Sequence, residues 1–251
     1  MPRFFLTPEQ SDFTPQTLPD TICLQGEDAF HLSVSLRAGI GDPVTLCTPD
    51  GLEVDCRIEA ISGGKKSPLV TLRPLSAAES ENEPPAMITL YQGMPKGKKT
   101  DSILQKCTEL GVGKVVFVYT DHSVPVWDGD DKKTLRYQKI AEEAAKQCGR
   151  GRLVEVSLAE SLDSVLEDMK ANDVCFACYE KEGERSLKQI LSEKRFETAA
   201  FFIGPEGGLS EREVALLNAN SVPTVTLGKR ILRTETAPAA VLAMLLYETE
   251  L

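Results

Sequence analysis

The residues best suited to chemistry lie in the last fifty positions, in two glycine-containing turns that each follow a strand-like run. The first turn, Gly204-Pro205-Glu206-Gly207-Gly208, follows the β-forming run Ala199 to Ile203 and precedes a helix signal at Ser210. Its three glycines leave the main chain bare, so a ligand can approach backbone N–H and C=O groups closely. Ser210 and Glu213 have capping-box spacing, which satisfies two of the unpaired N–H groups at a helix start. The second turn, at Leu227-Gly228, leads through Lys229-Arg230-Ile231-Leu232-Arg233-Thr234-Glu235 to Pro238, which suits the first turn of a further helix. Two such strand–loop–helix units put two loops side by side at one sheet edge, where open α/β sheets bind small ligands.

The chain that must position these loops has 251 residues, enough for one large or two modest domains with a buried core. Hydrophobic residues at 41% and charged residues at 26% are those of a soluble globular protein. No apolar run is long enough to span a bilayer, and the polar, proline-containing start is not a signal peptide, so a cytoplasmic protein without membrane contact is expected. Seven cysteines, an odd number, fit reduced intracellular thiols. The net charge of −10 argues against a general nucleic-acid coat. It does not exclude an RNA enzyme, because charge is uneven along the chain. Residues 1–78 carry 6 Lys+Arg against 10 Asp+Glu, whereas residues 95–152 carry 12 against 8. A solvated helix surface would give much the same positive balance.

Residues 1–78 read as short strands with one helix. A strand starts at Arg3, a helix covers Asp28 to Arg37, and a hairpin joins Val44–Cys47 to Leu52–Ile58 through Pro49-Asp50-Gly51. Gly63-Gly64 breaks to another strand at Leu69–Leu72, and this density of strands suggests a small barrel. The acidic, proline-ended stretch Ala77 to Pro85 is the linker candidate. Residues 84–251 then alternate strands and helices, an α/β pattern. Strands are expected at Met87–Gln92, Val115–Tyr119, Val174–Tyr179, Ala199–Ile203 and Thr224–Leu227, and helices at Thr100–Leu110, Lys132–Gln147, Leu187–Leu191 and Pro238–Glu248. The chain lacks a dinucleotide fingerprint, a phosphate loop and a G-x-S-x-G elbow. Cys175 and Cys178, on a strand, face opposite sides, so buried thiols are favoured over zinc and no metal is expected.

The segments Ile203–Glu211 (IGPEGGLSE) and Leu227–Ala237 (LGKRILRTETA) together resemble the RsmE-type small-subunit rRNA (uracil-N3) methyltransferases of the SPOUT superfamily. Weaker matches extend to the N terminus: His31–Arg37 (HLSVSLR), Gln105–Val112 (QKCTELGV) and Glu143–Arg150 (EAAKQCGR). The resemblance implies a PUA-like RNA-binding β-barrel over 1–78 and a knotted SPOUT α/β domain over 84–251. It further implies S-adenosylmethionine as cofactor, 16S rRNA or the small subunit as partner, and a homodimer with the last helix in its interface. The apolar run Val241–Tyr247 fits burial on more than one side, although core burial in a monomer would look the same.

On that reading, main-chain groups around Gly204, Gly208, Leu227, Gly228, Ile231 and Leu232 hold the cofactor, with Arg233 beside them. Methyl transfer to uracil N3 develops negative charge on N3, O2 and O4, which a guanidinium stabilises, and Arg233 is the candidate. Glu206 or Glu235 would take the proton, although either could equally cap a helix or pair with Arg230. N3 lies on the Watson–Crick edge, so the target must be unpaired or extruded. Arg3, His31, Arg37, Lys96, Gln147 and Arg150 are the candidate RNA contacts, Arg37 being equally explained as a helix C-terminal charge. One departure stands out: His122 precedes Ser123 where the family usually has Arg. The rival readings are methylation of a different RNA atom, an RNA-binding ribosome-assembly factor without turnover, and an α/β enzyme using another nucleotide.

Overall fold

A computed structural model describes residues 1–126, 131–193 and 195–250. The chain divides into two compact units, Met1–Glu83 with Ala145–Leu153, and Pro84–Ala144 with Val154–Leu251.

The first unit is built on a five-stranded mixed sheet of β1 (Arg3–Phe5), β2 (Ile22–Leu24), β3 (Pro43–Cys47), β4 (Leu52–Gly64) and β5 (Ser67–Glu79), in the order β1-β3-β4-β5-β2. β1 runs parallel to β3 and the remaining ladders are antiparallel. The expected hairpin is β3–β4, its turn closed by Gly51 at φ 93°. The Gly63-Gly64 break is the tip of a second, longer hairpin, β4–β5. Phe4 and Leu6 from one end of the ladder and Ile22 and Leu24 from the other enter one core with Val54, Ile58 and Leu72. The sheet therefore curls around its apolar face. The helix expected over Asp28–Arg37 is α1 (Gly26–Phe30), continued by a π-helical turn over His31–Ser35.

The second unit contains six parallel strands: β6 (Met87–Gly93), β7 (Lys114–Val118), β8 (Glu155–Ala159), β9 (Val174–Cys178), β10 (Thr198–Ile203) and β11 (Thr224–Val225). Their order is β11-β9-β10-β6-β7-β8. The helices are α2 (Lys99–Glu109), α3 (Asp131–Cys148, of which residues 145–148 count with the first unit), α4 (Leu166–Lys170), α5 (Leu187–Glu193), α6 (Glu211–Ala219) and α7 (Ala237–Glu250). Alternate residues of β10 serve the two faces: Ala199, Phe201 and Ile203 enter one core, Ala200 and Phe202 the other. Burial on both faces explains why this strand reads as a continuous apolar run. Cys178 and Cys175 divide in the same way, one towards each core. No helix among the described residues is long and apolar enough to cross a membrane.

The strand order corrects one expectation. The two glycine loops do not follow adjacent strands, because β9 lies between β10 and β11. The chain reverses its direction across the sheet at β6, which has β7 on one side and β10 on the other. The first glycine turn leaves β10 at this switch point, where open α/β sheets leave a crevice.

The start of α6 fixes that turn. Glu213 N donates to Ser210 Oγ at 3.1 Å, and Ser210 N donates back to the fully buried Glu213 carboxylate at 2.8 Å. Asp121 N also donates to Glu213, at 3.0 Å. The Asp121 carboxylate accepts from Arg212 at 2.7 Å and from Ser210 Oγ at 2.6 Å. Those hydrogen bonds, Arg212 first, hold its pKa at about 2, below the ordinary 3.8. A depressed carboxylate stabilises the fold above its unfolded pKa and loses that contribution as pH falls through the folded value. Asp121→Asn is accordingly less stable than the parent at pH 7, and the gap closes between about pH 3.8 and 2, as read by denaturant unfolding at each pH.

Candidate active site

Three loops from the carboxyl ends of β9, β10 and β11 enclose a cavity of about 800 Å³. Gly204, Glu206 and Gly208 line it from the first glycine turn, and Leu227, Gly228, Ile231, Leu232 and Arg233 from the second loop. The loop Tyr179–Gly183, which sequence reasoning did not single out, is the third wall. Its place could not be read from the chain, because nothing in a strand's own sequence says which neighbour it pairs with.

Close approach explains the glycines. Gly208 has φ 68°, and a Cβ there would lie 2.7 Å from Glu180 Oε1. A Cβ on Gly207 would come 2.8 Å from His122 Cβ, so His122 is seated against the turn, with Nδ1 3.2 Å from Gly208 O. Leu227 and Leu232 rest on the core of the unit, whereas Ile231 is 80% exposed at the rim. Gly93, at the end of β6, lies under the turn: a Cβ there would be 2.5 Å from Pro205 Cδ and 2.7 Å from Pro205 N. Backbone cannot yield as a side chain can. Gly93→Ala therefore costs about 1–3 kcal/mol in denaturant unfolding, the usual range for overpacking.

A chain of charges crosses the cavity mouth. Lys99 Nζ, on the first residue of α2, lies 2.8 Å from Glu206 Oε1 and 3.6 Å from Glu235 Oε2. Glu206 also accepts from Lys96 N at 3.1 Å. Burial opposes its charge, but the Lys99 hydrogen bond and the backbone N–H groups outweigh that, holding the carboxyl below its usual range. Glu235 has a 19% exposed side chain, and its buried Oε2 has no hydrogen-bond donor among the described residues. Arg233 Nη1 stands 3.9 Å from Glu235 Oε1 with its side chain 84% exposed.

Residues 82–246 match the RNA methyltransferase domain family. Ribosomal RNA small subunit methyltransferase E of Bacillus subtilis (strain 168) is 35% identical over 260 residues, covering 100% of this chain and 98% of the relative. The chain belongs to the ribosomal RNA small subunit methyltransferase E family. A structure of that methyltransferase from Neisseria gonorrhoeae, bound to S-adenosyl methionine, is 27% identical with a TM-score of 0.79, covering 97% of this chain and 96% of the other. A structure from Legionella pneumophila in complex with the bound cofactor SAM is 28% identical with a TM-score of 0.81 and the same coverage.

The RNA contacts expected from the family's motifs fare unequally. Arg3 is spent inside the first unit: Nη1 is 2.7 Å from Glu53 Oε1 and also donates to Cys47 Sγ and Arg150 O. The Arg150 side chain is 5% exposed and pairs with Glu83 at 2.6 Å. Glu83 accepts from Gly151 N and Arg152 N as well. Both arginines are committed to carboxylates inside their unit. A carboxylate 50 or 67 residues away in sequence gives no local signal. His31 is half-buried, edge-on to Phe4 at 6.1 Å. Arg37, Lys96 and Gln147 have exposed side chains.

Proposed function

We propose that this chain methylates N3 of a uridine in small-subunit (16S) rRNA, with S-adenosylmethionine held in the cavity between the glycine loops. The observation that carries the reading is Arg233 and Glu235 facing one another at the mouth of a main-chain-lined cavity. The cavity fits the cofactor: about 800 Å³ lies in the range of sites for such ligands, and its walls lack Cβ atoms at Gly204, Gly207 and Gly208. When bound, S-adenosylmethionine supplies an electrophilic methyl group on a sulfonium.

The protein's residues do the rest. Main-chain groups of Gly204, Gly208, Leu227, Gly228 and Leu232 hold the adenosine end, and exposed Ile231 closes over it. Arg233 stabilises the negative charge that develops on the uracil oxygens as N3 loses its proton. Glu235 accepts that proton. Glu206, the other candidate, is already satisfied by Lys99 and Lys96 N and gains less from protonation. Lys99 holds both carboxylates in place.

RNA contacts fall to the side chains that remain available: Arg37, Gln147 and Lys96, with His31 six positions before Arg37. Arg37 supports this by its backbone, φ 57° after the π turn, a left-handed position that costs a non-glycine residue about 1–3 kcal/mol. The finer architecture follows the family: a PUA-like barrel in the first unit and a trefoil knot in the second. A cytoplasmic homodimer completes it, with α7 at the interface. Helix α7 suits two neighbours, since Val241, Leu242 and Leu245 are buried in the core while Met244 and Tyr247 are exposed.

The test is to locate the methylated nucleotide and ring atom, by mass spectrometry, in small subunits from a deletion strain treated with this chain. Methyl at uridine N3 is the expected result. Methyl at another atom, or cofactor binding without transfer, overturns it.

A further inference from the structure

We propose that Gln92 and Thr234 form a positioning clamp that ties the Gly204 turn to the Arg233–Glu235 segment and so sets the shape of the cavity. The inference rests on the methyltransferase reading for its consequence, though not for its geometry. Gln92 is the penultimate residue of β6 and is fully buried. Its Nε2 donates to Thr234 Oγ1 at 2.9 Å and to Gly93 O at 3.0 Å, with Ile203 O and Gly204 O both at 3.4 Å. The Thr234 hydroxyl, also buried, donates in turn to Gly204 O at 2.8 Å. One hydroxyl thus accepts from a residue 142 positions away and donates to another 30 positions away.

Several features make this more than core packing. Gln92 Oε1 is buried with no hydrogen-bond partner among the described residues, a cost that an apolar side chain of similar size would avoid. The adjacent Gly93 gives up its side chain to the Pro205 backbone, so two consecutive positions at the end of β6 are committed to seating one turn. Thr234 stands between Arg233 and Glu235 in sequence, and a rigid link there fixes the backbone from which both project. The turn at its other end bears Gly204 and Gly208 in the cavity wall. A clamp of this kind acts on cofactor affinity and on turnover together, by fixing the part of the cavity wall to which Thr234 itself belongs.

Thr234→Val keeps the shape and removes the hydroxyl, whereas Thr234→Ser keeps the hydroxyl; Gln92→Met removes the donor at similar volume. Three measurements apply to each variant: amide hydrogen exchange over residues 203–209 and 227–236, calorimetric affinity for S-adenosylhomocysteine, and kcat on small subunits. Thr234→Val is expected to speed exchange in both segments and to weaken S-adenosylhomocysteine binding, each by about tenfold or more, with kcat falling as well. Thr234→Ser restores all three to within about threefold of the parent. A Thr234→Val protein that melts earlier but keeps parental exchange and affinity overturns the clamp. Should that variant not fold, Gln92→Met decides by the same criteria. If the parent itself fails to bind S-adenosylhomocysteine, the cofactor reading falls, and the exchange comparison still judges the clamp.

Discussion

Arg233→Ala lowers kcat for uridine methylation by about 10²–10³-fold while S-adenosylhomocysteine affinity stays within about threefold. The size follows from what a charged donor contributes when aimed at charge that appears only in the transition state. The selectivity follows from exposure. At 84% exposed, with Glu235 3.9 Å away, Arg233 makes an ion pair of the kind that contributes about 0–1 kcal/mol to stability. Its removal therefore leaves the fold and the cavity walls in place. Arg233→Lys recovers only part of the loss, since an ammonium cannot offer the paired N–H groups of a guanidinium to two acceptors. Calorimetry on the folded variant beside single-turnover methyl transfer separates the two quantities. A variant that loses cofactor affinity and turnover in equal measure would make Arg233 a cofactor-binding residue and not a stabiliser of the oxyanion.

The contrast between Arg233 and the two arginines of the first unit shows where the sequence was legible and where it was not. The alternation of apolar runs with capped helices gave the α/β domain, because β10 is buried on both faces and α6 begins with a capping box. The glycines of both loops were legible for the same local reason: they mark places where a Cβ has no room or the backbone turns left-handed. β8 and α4 were missed. β8 is an edge strand with only one fully buried position, and α4 has a single turn, so neither carries enough period to register. Strand order was illegible in principle, which hid β9 between the two loops and with it the wall that bears Glu180. Arg3, Arg150 and Arg233 are one residue type in three settings. Two of them meet carboxylates brought close only by the fold, and composition cannot tell such a buried pair from an exposed guanidinium.

The same limit applied to the two carboxylates, and here the structure leads to the second large effect. Glu235→Gln lowers kcat by about 10²–10⁴-fold at neutral pH with little change in KM, the range for loss of a positioned general base. Glutamine keeps the shape and the neutral contacts but cannot take a proton. Glu206→Gln costs far less turnover, because that side chain serves as an acceptor for Lys99 and for Lys96 N. The pH profile distinguishes a lost base from a disturbed loop. Without a base, turnover depends on uracil that has already ionised in solution, so the Glu235→Gln rate climbs about tenfold per pH unit below the ring's own pKa. A merely displaced loop lowers the rate equally at every pH. Lys99 complicates the comparison, since it stands 2.8 Å from one carboxylate and 3.6 Å from the other. Removing the charge of Glu206 leaves Lys99 to pair with Glu235 alone. Glu206→Gln is thus expected to show a modest kcat loss with a flat pH profile, and a steep profile in that variant would transfer the base role to Glu206.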